Sequence, residues 1–449
     1  MTGQLLLSGL LLLQLARPAT LAAQAAQPAG TAEGSRLLLG DLYGQVQRAN
    51  PRVAAARSLT RAAQARVFGV SRPPDPQLQI GFMNYQLPGL APMPTLGMNQ
   101  LQLMQMVPFP GKLSLAGRGA GAQASATAFR ADDVGWDVRN QVAMAFYDLY
   151  ATDRGLDVSR ETLRLLRDIA ATAEAMYRVG DGRQADVLRA RVEIARMVED
   201  TLRMHAMRQT MTARLDALLD RAPSADIGTP ALPAFPDSTP TRAWLDSIAR
   251  ETRPTVRAGL EEVRAADASV RLARKELFPD LQVGVQYGQR GGAMGTERMG
   301  SLMLGASLPV FARWRQLKLR EEASAMKQMA QADLAAMRAE TRGMIGEAYA
   351  ALTRARSLAL LYRTTVLPQA EATVASALSA YRVGSVDFMT LLDDRMTVNK
   401  YRQELNALDA DQGKAWAELE TLLGRTLFDA NHLTNSVAAT ARPTSGSER

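Results

Sequence analysis

The chain has 449 residues, is 47 % hydrophobic but only 5 % aromatic, carries a formal charge of +8 and contains no cysteine. This excludes disulfides, thiol catalysis, thiolate metal sites and an N-terminal lipid anchor on a processed cysteine, and it suits long, closely packed helices better than a thick aromatic core. Basic residues are scattered beside acidic ones, as in Arg271-Leu272-Ala273-Arg274-Lys275-Glu276, which reads as solvated helix faces and not as a nucleic-acid surface.

Leu5 to Leu15 is an apolar run interrupted only by Ser8, Gly9 and Gln14, with Ala23-Gln24-Ala25 a plausible cleavage site behind it. It is too short to span a bilayer, so residues 1–25 read as a removed secretory signal. Met1 to Gln4 hold no basic residue, and the alternatives are a mis-assigned start or a membrane anchor. No later stretch is long and apolar enough for a spanning helix, so any crossing of a membrane must use strands.

A first unit, 36–222, opens with an Ala-rich helical stretch over 42–69. Past Pro76, Leu78, Ile80 and Phe82 alternate with Gln77, Gln79, Gly81 and Met83, and a return strand runs from about Met98 to Val107 with Gln100, Gln102 and Gln105. From Leu113 to about Tyr177 nothing but tolerated glycine interrupts a helix, which at ~1.5 Å per residue is a rod on the order of 90 Å long. Gly180 then supplies a left-handed position for reversing the chain into a second helix. Residues 223–240, with Pro223, Pro230, Pro233, Pro236 and Pro240, read as an extended connection over the surface.

The second unit, 241–428, repeats the first: Pro51 returns as Pro254, Pro76 as Pro279 and Gly180 as Gly384, at a near-constant offset. Its helical opening covers 241–277. Leu281, Val283, Val285 and Tyr287 then alternate with Gln282, Gly284, Gln286 and Gly288, and Leu302, Leu304, Ala306 and Leu308 with Ser301, Met303, Gly305 and Ser307. A long helix from Arg315 to Tyr381 contains only Pro368 as a breaker. Its return helix carries Leu391, Asp394, Val398, Tyr401, Leu405, Leu408, Gln412, Ala415, Leu419 and Leu422 in steps of three and four. The first half matches this seam from Val187 to Leu218. Such heptad seams pack lengthwise against long partners. Residues 429–449 lack periodicity and read as a disordered tail.

One apolar face and one Gln/Gly/Ser face is the pattern of transmembrane barrel strands with a wet lumen, and also of a soluble half-buried sheet. Two hairpins cannot close a barrel, so the barrel reading requires several chains. Lumen-facing positions would include Gln282 and Gln286. Phe109, Phe311 and Trp314, beyond the strand ends, suit a membrane-interface girdle or ordinary junction packing. Met98, Met104 and Met106, with Met294, Met299 and Met303, tempt a soft-metal reading, but packing filler is the simpler account. The two histidines, His205 and His432, have no ligand-spaced neighbours. Without a nucleophile elbow or phosphate loop, no enzyme, metal site or cofactor is expected.

The doubled order of motifs resembles the TolC-like outer-membrane efflux family. It is carried by Asn50-Pro51 and Arg253-Pro254, Phe278-Pro279-Asp280-Leu281, Leu308-Pro309-Val310-Phe311, Tyr381-Arg382-Val383-Gly384, Leu391-Leu392-Asp393 and Leu422-Leu423-Gly424. The stretch Pro108-Phe109-Pro110-Gly111-Lys112 looks like the heavy-metal efflux branch. The resemblance implies an α+β membrane protein in which each repeat gives a β-hairpin and long coiled-coil helices. A homotrimer would form a twelve-stranded β-barrel in outer-membrane lipid and an α-helical barrel in the periplasm. The implied partners are a periplasmic adaptor protein and an inner-membrane pump; the implied function is a passive exit duct for small molecules or metal cations.

It also implies that Gly180 and Gly384 mark the periplasmic tip and that Asp186, Tyr381 and Asp393 contribute to its aperture. Asp387 and Asp394 would join an acidic ring there. Val386 stands where a basic partner is expected, with Arg183 or Arg382 as substitutes, and the halves differ where Arg189 aligns with Asp393 and Asp186 with Thr390. The bland alternative is that these carboxylates are solvated or cap helices, as suits Asp181 and Asp387. The main rival for the whole chain is a periplasmic coiled-coil adaptor or scaffold without a pore; a secreted filament is a weaker one.

Overall fold

A computed structural model describes residues 36–86, 88–89, 91–93, 97–222, 227–292 and 295–431. The expected signal segment, Pro223, Met294, His432 and all but the start of the expected tail lie outside the described residues. In chain order the elements are β1 (Arg36–Leu37), α1 (Leu39–Ala49), α2 (Pro51–Val70), β2 (Gln77–Met83), β3 (Tyr85–Gln86), β4 (Ala91–Pro92), β5 (Met98–Val107), α3 (Lys112–Arg178) and α4 (Gln184–Leu218). They continue with β6 (Thr229–Pro230), α5 (Arg242–Thr252), α6 (Pro254–Lys275), β7 (Asp280–Gly292), β8 (Gly295–Ser307), α7 (Gln316–Leu361), a π-helical turn (Tyr362–Val366), α8 (Leu367–Arg382) and α9 (Phe388–Leu423). The internal repeat is therefore structural: α1, α2, β2, β5, α3 and α4 reappear as α5, α6, β7, β8, the α7–α8 rod and α9.

Each helical opening is two helices, not one. The break falls before Pro51 and Pro254, where Asn50 and Arg253 are extended with ψ near 122°, because proline's ring disfavours helical backbone in the residue before it. Asn50 then caps α2, accepting from the Arg52 amide, and its side-chain amide donates to the Leu218 carbonyl at 2.8 Å. Arg253 makes no such cap; its guanidinium donates to Thr341 Oγ1 at 2.6 Å.

The α3 rod runs 67 residues without a break. Its counterpart contains the five-residue π turn. Pro368 has no amide hydrogen to close a helical bond, and the widened turn absorbs that loss: the Leu367 amide reaches back to the Tyr362 carbonyl.

Along α9, Leu391, Val398, Leu408, Gln412, Ala415, Leu419 and Leu422 are buried and the other seam positions half-buried; along α4 every seam position is buried or half-buried. Three apolar clusters result. One joins α1 (Leu42, Val46) to α3 (Phe146, Tyr147) and α4 (Leu215). A second joins α5 (Leu245) to α7 (Leu352) and α9 (Trp416, Leu419). The third lies near the helix reversals, where Leu166, Val187, Tyr381, Phe388 and Leu391 meet.

The proline-rich connection is packed and does not simply cross the surface: Ile227 is buried, Phe235 touches the first two clusters, and Thr229–Pro230 pairs in parallel with Arg36–Leu37. Ala430, just past the second unit, is also buried. Apolar side chains in these segments explain the difference, since their burial outweighs the extended tendency of the prolines.

Candidate functional site

Four of the strands form an antiparallel sheet in the order β2-β5-β7-β8, apart from the short β1–β6 and β3–β4 pairs. The two hairpins meet through β5 and β7, with Gln102 opposite Gln286 and Leu103 opposite Val285. This leaves β2 and β8 as outer strands of the sheet within the chain. Side chains alternate across a strand, and the sorting here is the reverse of a soluble protein's. Ile80, Leu302 and Leu304 are 68 %, 69 % and 76 % exposed, and Leu78, Phe82, Leu101, Leu281, Val285 and Tyr287 share their face. The opposite face carries Gln100, Gln102, Gln282 and Gln286, all half-buried, with Gly284 and Gly288 buried. Gln286 donates to Gln100 Oε1 at 2.6 Å across the β5–β7 seam.

At the junctions the halves part company. Phe109 stacks on Phe278 with ring centroids 4.6 Å apart, and its amide donates to Asp280 Oδ1 at 2.7 Å. Buried Lys112 donates to Asp280 at 2.8 Å and to the Phe278 carbonyl at 3.1 Å. Phe109 therefore packs within the junction. Phe311 and Trp314 in the second half are 73 % and 76 % exposed.

At the helix reversals Gly180 and Gly384 both have positive φ, 91° and 73°, which glycine adopts without strain. The Asp181 and Ser385 amides reach back to the Met176 and Ala380 carbonyls, closing the ends of the incoming helices. Tyr381, from the second half, is buried with its ring edge-on to Phe388. Burial raises its phenol pKa, and the carboxylate of Asp186, from the first half, raises it further. The fold therefore brings Asp186 and Tyr381 together.

Asp387 is the N-cap of α9, accepting from the Thr390 amide at 3.1 Å and its hydroxyl at 2.5 Å. Those bonds hold its carboxyl below the usual carboxylate range, with smaller help from Arg183 and Arg189. Arg183 thus faces an aspartate, though Asp387 and not Asp393. Asp393 is exposed and Asp394 half-buried on the first turns of α9.

One group escaped the sequence reading. Arg402 on α9 bridges Glu161 on α3 at 2.9 Å and Glu371 on α8 at 2.6 Å, tying three helices together above the reversal. Its only sequence signal is a charge beside the seam residue Tyr401. Among the described residues no group of three or more His, Asp or Glu side chains could hold a metal ion, and no helix is long and apolar enough to cross a membrane.

No curated relative matches the sequence. Solved structures match the fold. CusC is 18 % identical with a TM-score of 0.76, covering 92 % of this chain and 99 % of that one. The outer membrane protein VceC of Vibrio cholerae is 17 % identical with a TM-score of 0.73, covering 87 % and 97 %. The open-state MtrE outer membrane channel of Neisseria gonorrhoeae is 15 % identical with a TM-score of 0.72, covering 87 % and 89 %. The outer membrane efflux protein family matches twice, over residues 42–221 and 245–425, once for each structural repeat. The chain therefore belongs to the outer membrane efflux protein family and has the fold of TolC-like outer membrane channels.

Proposed function

We propose that three copies of this chain close a twelve-stranded barrel across the outer membrane and continue as a helical barrel in the periplasm. The assembly is a passive exit duct for small molecules or metal cations, joined to an inner-membrane pump through a periplasmic adaptor. The observation that carries this reading is the inverted sheet. A continuous band of exposed Leu, Ile, Val and Phe on one side is costly in water and favourable against lipid. The glutamine side is what a wet bore requires. A soluble adaptor would have no reason to sort its strands this way.

Extraction from the outer membrane in detergent should give trimers with single-channel conductance; a soluble monomer without conductance would sink the reading. Asp186, Asp393 and Asp394 form the acidic part of the aperture, with Tyr381 packed beneath them and Gly180 and Gly384 setting the turns. Replacing Asp393 with Ala should weaken block by added divalent cations and lower cation selectivity. An unchanged reversal potential and block would remove Asp393 from the aperture.

A further inference from the structure

In the four-stranded sheet, methionine sorts with the glutamines. The strand register puts Met83, Met98, Met104, Met106, Met299 and Met303 on the polar face and none on the other. Every Leu, Ile, Val and Phe of the same four strands stands on the apolar face. Methionine used as apolar filler belongs with leucine and valine; here it is kept from them.

Four of these residues are arranged around two glycines of β7. Met104 and Met303 stand opposite Gly284 from either side. Both side chains lean over it, since a Cβ added at Gly284 would lie 3.1 Å from Met104 Cγ and 3.5 Å from Met303 Cε. Four residues further along, Met299 stands opposite Gly288, and Met98 Sδ would lie 3.1 Å from a Cβ there. The missing side chains leave room over the strand for the Met104, Met303 and Met98 side chains. Between the two levels lies the Gln102, Gln286 and Ser301 row, and Gln102 Nε2 is 3.9 Å from Met303 Sδ. The nearest cation on this face, Arg290, is held by Glu297 at 2.8 Å.

We propose that these two methionine levels are binding sites for soft monovalent cations, copper(I) or silver(I), passing through the lumen as cargo. Thioether sulfur is a soft, uncharged donor that selects such ions over sodium, potassium or magnesium. Successive sites built from neutral donors suit conduction, which needs an ion to enter readily and leave again. The proposal rests on the duct reading, because the methionine face is the water side only in a closed barrel.

The test uses the full chain purified in detergent and placed in planar bilayers in potassium nitrate, free of chloride so that silver stays dissolved. Potassium current comes first; its absence counts against the duct and leaves the methionines to a second measurement, silver nitrate binding to the detergent trimer by calorimetry. Wild-type protein should bind silver, and its potassium current should fall when silver nitrate is added. Combined Met98→Leu, Met104→Leu, Met299→Leu and Met303→Leu keeps the apolar volume and removes the sulfur. This variant should keep the potassium current and lose both silver binding and silver block. Should it fail to assemble, Met104→Leu with Met303→Leu, and Met98→Leu with Met299→Leu, are read separately, each expected to lose part of the silver binding. Wild-type protein that ignores silver, or leucine variants that bind it as well as wild type, would overturn the proposal.

Discussion

Asp387 shows how one carboxylate serves the reversal. Its oxygen accepts from the Thr390 amide, satisfying one of the unpaired donors at the start of α9. Because the folded carboxyl titrates below its ordinary value of 3.8, the cap is fully effective above that pH. It is lost as pH falls through the lower folded value. At neutral pH, Asp387→Ala should speed amide hydrogen exchange over the first turn of α9. In acid the variant and wild type should converge. A difference that persisted at low pH would mean the side chain acts by packing and not by charge. The cap itself was legible from local sequence; its arginine neighbours were not, because Arg183 and Arg189 face Asp387 only where the two reversals lie side by side, and residues so far apart carry no common periodic signal. The same holds for Asp186 beside Tyr381 and for Arg402 between Glu161 and Glu371.

At the scale of elements, two glycines with similar dihedrals make a controlled comparison. Gly384 ends α8 with φ +73°, and nothing lies within 4 Å of the Cβ that alanine would add. Gly424 ends α9 with φ +62°, but there a Cβ would sit 2.5 Å from Pro254 Cδ and 3.0 Å from the Thr252 carbonyl oxygen. Gly384→Ala should therefore cost only left-handed backbone strain, about 1–2 kcal/mol. Gly424→Ala must also displace the start of α6, and its loss in denaturant unfolding should be clearly the larger. Equal losses would show that the α9–α6 contact yields freely. The turn at Gly384 was visible in the sequence as a glycine between two helical patterns, and the strand alternation and the heptad seams because each is a local pattern with its own period; Gly424 was seen only as part of a motif. The π turn was not. Pro368 announced a defect in the rod, but whether a helix kinks, stops or widens depends on neighbours that sequence does not display. The packed proline connection was missed for a related reason: Ile227 and Phe235 became anchors only once α3, α4 and α9 had formed the hollow that receives them.

For the whole molecule, the repeat specifies how copies should join. Within one chain the first hairpin meets the second through β5 and β7, in the register that sets Met104 opposite Gly284. In the repeat, β2 corresponds to β7 and β5 to β8, so the two outer strands, β8 of one copy and β2 of the next, repeat the β5–β7 relation. Transposing that register sets Ser307 of one copy opposite Gly81 of the next, since Ser307 answers to Met104 and Gly81 to Gly284. The chain contains no cysteine, so a double variant with Ser307→Cys and Gly81→Cys has no competing thiol. Oxidation of the membrane-embedded protein should link chains into covalent dimers and closed trimers that reducing agent dissolves, while either single variant stays monomeric on a denaturing gel. Linkage that ran past trimer would mean the strands add in an open array. Failure to link, in a variant that still conducts, would mean the sheets close in another register. A one-residue slip would set the apolar face of one copy beside the glutamine face of the next, so the register and the continuity of the apolar band must hold or fail together.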